Sequence, residues 1–256
     1  MVSIDNKSVN VECEECECLV SSKCTCKLSK PIKSKKPNQT SFICDMEKCN
    51  GLNVIYTNTD VLHNKLEELE LTAKNEKADI IAVTEILLKN MPPFTKPEDF
   101  VFKIKGFTTI HNYNGRGLCL FIKDGINHTQ VFEYESFKTS IFVNIPSSNG
   151  NLTLGVLYRS PNSSPDENHE LVNVINSISK KHLSLKKRFL LLGDFNFPGI
   201  NWENETTNHV HDSLNMEVLF LNSIHDNFLH QMVTEPTHTR NMQNTNPNRS
   251  GYNKCS

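Results

Sequence analysis

The sequence predicts an α/β fold in which two β-sheets pack together and carry helices on the outside. Three observations predict it. Short apolar runs bounded by turn residues outnumber stretches with helical periodicity. The three helical stretches interrupt the strand runs instead of following them in a block. Four of the apolar runs end in polar side chains suited to a site.

Taken in order, residues 52–56 read as a buried strand that ends in Thr57-Asn58-Thr59-Asp60. Leu62, Leu66, Leu69, Leu71 and Ala73 then recur at helical spacing, with Asp60 or Thr59 as the expected N-cap. Residues 80–83 form a second apolar strand, which ends in Thr84-Glu85, and a loop rich in Pro and Lys follows. Strands are expected at 107–110, 118–122, 131–134 and 141–145. Asn114-Gly-Arg-Gly117, Lys123-Asp-Gly125 and Ser147-Ser-Asn-Gly150 supply turn signals around them. Residues 152–158 make another strand, ending in Tyr158-Arg159-Ser160-Pro161-Asn162. Leu171, Val174, Ile175 and Ile178 give residues 168–181 one apolar helical face. Residues 189–192 are a wholly apolar strand, which Gly193 ends before Asp194 and Asn196; a last helix is expected over 216–228.

Residues 1–50 have a different texture. Seven of the chain's nine cysteines lie there among Glu, Ser, Lys and Pro, with almost no apolar periodicity. Cys13, Cys16, Cys44 and Cys49 have roughly the spacing of two thiolate pairs around Zn²⁺. The leader is therefore either a disordered Cys-rich segment or a small zinc module. The odd number of thiols fits a reducing, intracellular setting, nuclear or cytoplasmic and not secreted. No apolar run approaches membrane-spanning length. A formal net charge of −2 excludes a generally basic surface, so any nucleic-acid contact must come from local clusters. No obligate protein partner can be inferred.

If the four polar strand ends converge, Asn58 with Asp60, Glu85, Tyr158 with Asn162, and Asp194 with Asn196 make an acidic, amide-lined pocket. Such a pocket suits one hard divalent cation, Mg²⁺ or Mn²⁺, which takes few carboxylates and keeps water and substrate phosphate. Singly, each motif also reads as a turn with Asx hydrogen bonds.

Together these lines resemble the endonuclease/exonuclease/phosphatase superfamily, and within it the endonuclease domain of non-LTR retrotransposons. The resemblance rests on Tyr-Thr-Asn58-Thr-Asp60-Val-Leu, Asp79-Ile-Ile-Ala-Val-Thr-Glu85, Gly115-Arg-Gly-Leu-Cys-Leu-Phe-Ile-Lys123, Gly155-Val-Leu-Tyr-Arg-Ser-Pro161 and Leu192-Gly-Asp-Phe-Asn196. A Pro236-Thr-His-Thr-Arg240 segment adds to it.

What the resemblance implies is a four-layer sandwich of two mixed sheets flanked by helices, and divalent-metal-dependent cleavage of phosphodiesters, with DNA as partner. It makes Glu85 the principal metal ligand with Asp60 and Asn58 nearby. Asp194 aligns or deprotonates the attacking water, Asn196 orients the phosphate or Asp194, and Tyr158 donates to a phosphate oxygen. Arg159 and Asn162 are expected to bind substrate.

The implied pattern continues with a Leu-Asp strand and a terminal Ser-Asp-His, and neither motif occurs after Arg240. The expectation is thus a domain over 51–240 that lacks its last strands, followed by a polar tail over 241–256. Little or no turnover is expected of it alone. His209 and His211 are expected in a solvated loop, and His63 on a surface. The alternatives are a non-catalytic remnant and a phosphatase or deadenylase of the same fold.

Overall fold

The computed structural model describes residues 52–134, 136–146, 150–185, 187–208 and 212–233, and the backbone of three short strands before them. Those three are β1 (Val2–Ile4), β2 (Ile32–Lys33) and β3 (Gln39–Ile43). The strands that follow are β4 (Asn53–Asn58), β5 (Ile80–Thr84), β6 (Phe107–Asn112), β7 (Leu118–Lys123), β8 (Thr129–Gln130) and β9 (Ser140–Ile145). The chain continues through β10 (Leu152–Tyr158), β11 (Arg188–Asp194), a small hairpin of β12 (Ile200–Asn201) and β13 (Thr206–Thr207), and β14 (Leu229–Gln231). The helices are α1 (Leu66–Asn75), α2 (Pro165–Leu185) and α3 (Met216–Asp226).

Two mixed six-stranded sheets result, in the orders β2-β3-β4-β5-β7-β6 and β14-β1-β11-β10-β9-β8. The stretch before residue 50 thus contributes strands to both. Its four candidate zinc cysteines lie outside the described residues, as do His209, His211 and the Pro236–Arg240 motif.

Each sheet has one parallel pair, β4 with β5 and β10 with β11, and antiparallel neighbours elsewhere. A parallel pair needs a crossover, and here the crossovers contain α1 and α2. Strand alternation then sorts the side chains into layers. Val54, Ile80, Ala82, Leu118, Leu120 and Ile122 face Ile141, Val143, Leu154, Val156 and Leu192 between the sheets. Ile55, Ile81, Val83 and Phe121 face the other way, against Leu62, Leu69 and Ala73. Phe142, Leu157, Phe189 and Leu191 meet α2 and α3 through Leu171, Val174, Ile175, Ile178, Phe220 and Ile224. The layers are helix, sheet, sheet, helix.

Local chemistry ends the elements. Ser164 and Glu167 form a reciprocal cap ahead of α2: Glu167 N–H donates to Ser164 Oγ (3.2 Å) and Ser164 N–H to Glu167 Oε2 (2.8 Å). Asn215 caps α3 by accepting from Glu217 N–H at 2.9 Å.

Two expectations are corrected. Neither Thr59 nor Asp60 caps the first helix, which enters through a 3₁₀ turn at Leu62–Lys65 without a side-chain cap. Both side chains are drawn elsewhere, Thr59 Oγ1 donating to the carbonyls of Thr84 and Glu85 and Asp60 pairing with Arg116. The strand expected at 131–134 is displaced to Thr129–Gln130, because Tyr134 turns into the helix-side core while Phe132 is left exposed.

Gly193 stands opposite Leu157 in the parallel pair, and a Cβ there would lie 2.0 Å from the Leu157 carbonyl oxygen. Gly193→Ala therefore forces backbone from backbone just before Asp194. It is expected to cost roughly 2–3 kcal/mol in urea unfolding; an unchanged midpoint would show that the two strands do not approach this closely.

Candidate active site

The site grows out of the two parallel pairs. In register, Asn58 stands beside Thr84 and Tyr158 beside Asp194, each pair at the C-terminal end of its strands. Asn58 and Thr84 continue the even-numbered positions that put Val54, Ile80 and Ala82 between the sheets, and Tyr158 and Asp194 do the same for Leu154, Val156 and Leu192. The sheets therefore bring polar ends from both parallel pairs to one edge, the usual location of sites in α/β sheets.

Glu85 comes next after Thr84 and by alternation would face away. It adopts φ +56°, a left-handed conformation that breaks the alternation and is uncommon for Glu. Asn58 Nδ2 then donates to Glu85 Oε1 (2.9 Å) and to Asp194 Oδ2 (3.1 Å). One amide thus joins carboxylates from two sheets. Both oxygens lie within hydrogen-bond reach of one nitrogen, so they are within about 6 Å of each other. Asn58 Oδ1 accepts from Asp60 N–H at 3.1 Å, closing a turn.

Burial pushes the Asp194 carboxyl above its ordinary 3.8; hydrogen bonds from Asn58 and Asn196 oppose the rise, and the Glu85 charge adds to it. The Tyr158 hydroxyl is pushed up to about 12 by burial, by the Glu85 charge and by its hydrogen bond to Glu85. It therefore keeps its proton at neutral pH and is a donor. Tyr56, bonded to Thr84 Oγ1 at 3.0 Å, is shifted up further still, first by burial and then by the Asp194 charge.

Asn196 sits at φ +49°, which Asn tolerates, with its N–H donating to Asp194 Oδ1 at 3.2 Å. Its Nδ2 donates to the Arg159 carbonyl at 2.7 Å. Arg159 does not occupy the substrate-facing position expected of it. The side chain is buried: Nε donates to Asn168 Oδ1 (2.6 Å), Nη1 donates to the Asn196 carbonyl (2.7 Å), and the guanidinium lies 4.0 Å from the Phe197 ring centroid. It pins the Asp194–Asn196 loop to α2, because a buried guanidinium must find partners and these are the carbonyls at hand. Asn162 is exposed in the turn before α2, its N–H donating to Ser160 Oγ at 3.3 Å.

Arg116, which local sequence pattern leaves without a role, belongs to the site as well. Its Nη1 lies 3.2 Å from Glu85 Oε2 and its Nη2 2.6 Å from Asp60 Oδ1. That contact holds the Asp60 carboxyl below its usual value. The available signal was topological: β7 is antiparallel to β5, so the hairpin tip before it falls at the edge where Glu85 begins. Thr84 and Tyr56 were likewise missed as partners beneath the site.

Among the described residues, no three His, Cys, Asp or Glu side chains gather to hold a metal ion. Glu85 and Asp194 are two. All-oxygen donors in that number suit a hard cation that keeps most of its water. The residues present therefore fit such an ion.

No family model matches the chain. A stretch of 149 residues is 26% identical to a probable RNA-directed DNA polymerase from transposon BS of Drosophila melanogaster, covering 57% of this chain and 15% of that protein's length. Among solved structures, the endonuclease domain of TRAS1, a telomere-specific non-LTR retrotransposon, superposes with a TM-score of 0.50. The identity is 14%, over 68% of this chain and 69% of that one. The AP endonuclease LMAP from Leishmania major gives a TM-score of 0.49 at 10% identity, over 68% and 66% of the two chains. The chain has the fold of the TRAS1 endonuclease domain, and fold by itself leaves the chemistry to be argued from the site. Among the described residues, no helix is long and apolar enough to cross a membrane.

A raised carboxyl pKa has a consequence for stability. Its folded-state pKa lies above the unfolded one, so its contribution is fully present below the unfolded value and is lost as pH rises through the folded value. Asp194→Asn removes that loss. The variant's melting temperature relative to the native chain is expected to climb as pH rises past 3.8 and through the folded-state value; a relative fall there would mean that the fold favours the carboxylate.

Proposed function

We propose that this domain is a divalent-metal-dependent endonuclease domain of a retrotransposon-like element, cleaving phosphodiesters of DNA. The observation that carries the reading is the Asn58 amide shared by Glu85 and Asp194 at the sandwich edge. The TRAS1 fold and the transposon-polymerase similarity support the substrate class.

In this reading Glu85 is the principal ligand of Mg²⁺ or Mn²⁺, with Asp60 beside it, and the cation supplies charge to offset what develops on the attacked phosphate. Asp194 takes the proton of the attacking water, and burial, by raising its pKa from the ordinary 3.8, makes it a better base. Asn58 holds Asp194 and Glu85 in mutual register. Tyr158, protonated, donates to a phosphate oxygen. Asn196 orders the Asp194 loop, and Arg159 acts through that loop as a positioning residue.

The 256 residues contain no Ser-Asp-His. The resemblance pairs such a site with a Ser-Asp-His whose histidine donates to the scissile phosphate, a contribution on the order of 10²–10⁴ in rate, so residues 1–256 assayed without it are expected to turn over slowly or not at all.

Two measurements on residues 1–256 test the reading. Mg²⁺ is expected to raise the melting temperature of the native chain and leave Glu85→Gln unmoved. Nicking of supercoiled plasmid is expected to be faint, Mg²⁺-dependent and lost in Asp194→Asn. A chain indifferent to Mg²⁺ in both would contradict the metal-dependent assignment. Nicking at ordinary enzyme rates would instead show that no further histidine is needed.

A further inference from the structure

Arg116 sets a positive charge against Glu85, the carboxylate that the proposed function assigns to the cation. Its backbone and side chain are both tied to one neighbour: Leu87 N–H donates to the Arg116 carbonyl at 2.9 Å, and Arg116 Nε donates to the Leu87 carbonyl at 3.1 Å. Gly117, at φ +73°, packs so closely on Ile86 that a Cβ would lie 2.7 Å from it. The hairpin tip is therefore clamped to the segment just after Glu85. From that anchor the guanidinium reaches Asp60 at 2.6 Å and Glu85 at 3.2 Å. The Glu85 and Arg116 side chains are 15% and 18% exposed, whereas Asp60 is 77% exposed. Both Glu85 oxygens are thus engaged, Oε1 by the Asn58 amide and Oε2 by a positive charge.

We propose that Arg116 is a resident counter-ion of Glu85 that competes with the divalent cation for it, and that, once displaced, its Nη1 turns to an anionic phosphate of the substrate while Nη2 stays on Asp60. The inference rests on the metal-dependent reading given above. A guanidinium suits this role because its planar fork can hold one carboxylate while exchanging another partner for phosphate. Two consequences follow from charge alone. The guanidinium weakens cation binding when no phosphate is present, and phosphate and cation each favour the other's binding.

The test is calorimetric titration of Mg²⁺ into residues 1–256, Arg116→Gln and Glu85→Gln. Arg116→Gln is expected to bind Mg²⁺ tighter by on the order of tenfold, and Glu85→Gln to lose binding. A native chain that binds through Glu85, with Arg116→Gln unchanged or weaker, overturns the inference and leaves the metal reading standing. Binding that ignores Glu85, or none in either chain, overturns both. Because Arg116→Gln also breaks the Leu87 contact and could unfold, the native chain supplies a second measurement. The Arg116 Nη resonances, slowed by two carboxylates, are expected to show faster guanidinium rotation on adding Mg²⁺, and no change there likewise overturns the proposal.

Discussion

Two carboxylates that repel one another are held at the edge of this sandwich by a single amide, and the architecture around them is what makes that arrangement possible. Asn58 cannot reach Asp194 unless the two sheets keep their C-terminal strand ends side by side. That alignment depends on the apolar layer between them, where Val54, Ala82 and Leu120 meet Val156 and Leu192. Burial of each large aliphatic side chain there contributes about 1.5–3 kcal/mol. The same burial raises the cost of charge at Asp194, so the packing that builds the site also tunes it.

The backbone is strained at this edge. Asp60 (φ +41°), Val61 (φ +83°) and Glu85 (φ +56°) all lie in the left-handed region, and Val61 is β-branched. Each such residue costs of order 1–3 kcal/mol. They persist because the segment after β4 keeps pairing with the segment after β5: Thr59 N–H donates to the Thr84 carbonyl, Val61 N–H to Glu85 and Leu62 N–H to Ile86. The result aims Glu85 at Asn58 and leaves Asp60 to Arg116. Strain is concentrated where the polar groups must converge.

Half of the fourteen described strands, β4–β7 and β9–β11, were legible in the sequence because a buried strand is a short apolar run, whatever it packs against. The polar residues just past those runs were legible for the same reason, and Asn58, Glu85 and Asp194 do come together. What was not legible depends on partners far along the chain. Thr59 and Asp60 look like helix caps until a strand carrying Thr84 and a hairpin carrying Arg116 lie beside them. Arg159 looks like a surface cation until α2 offers Asn168 and the Asp194 loop offers its carbonyls. Tyr134 extends an apolar run that reads as strand, but the helix-side core takes it first. Local pattern sets the elements, and long-range polar partners decide which end residues serve the site.

The structure's central claim is that Asn58 holds Asp194 as a half-buried carboxyl beside Glu85. Its most direct test is a carboxyl-carbon NMR titration of Asp194 in the native chain and in Asn58→Ala. The account predicts a midpoint above 3.8 in the native chain and a higher one in the variant, since the Asn58 hydrogen bond opposes the rise. A midpoint at or below 3.8 that Asn58→Ala leaves unchanged would contradict it.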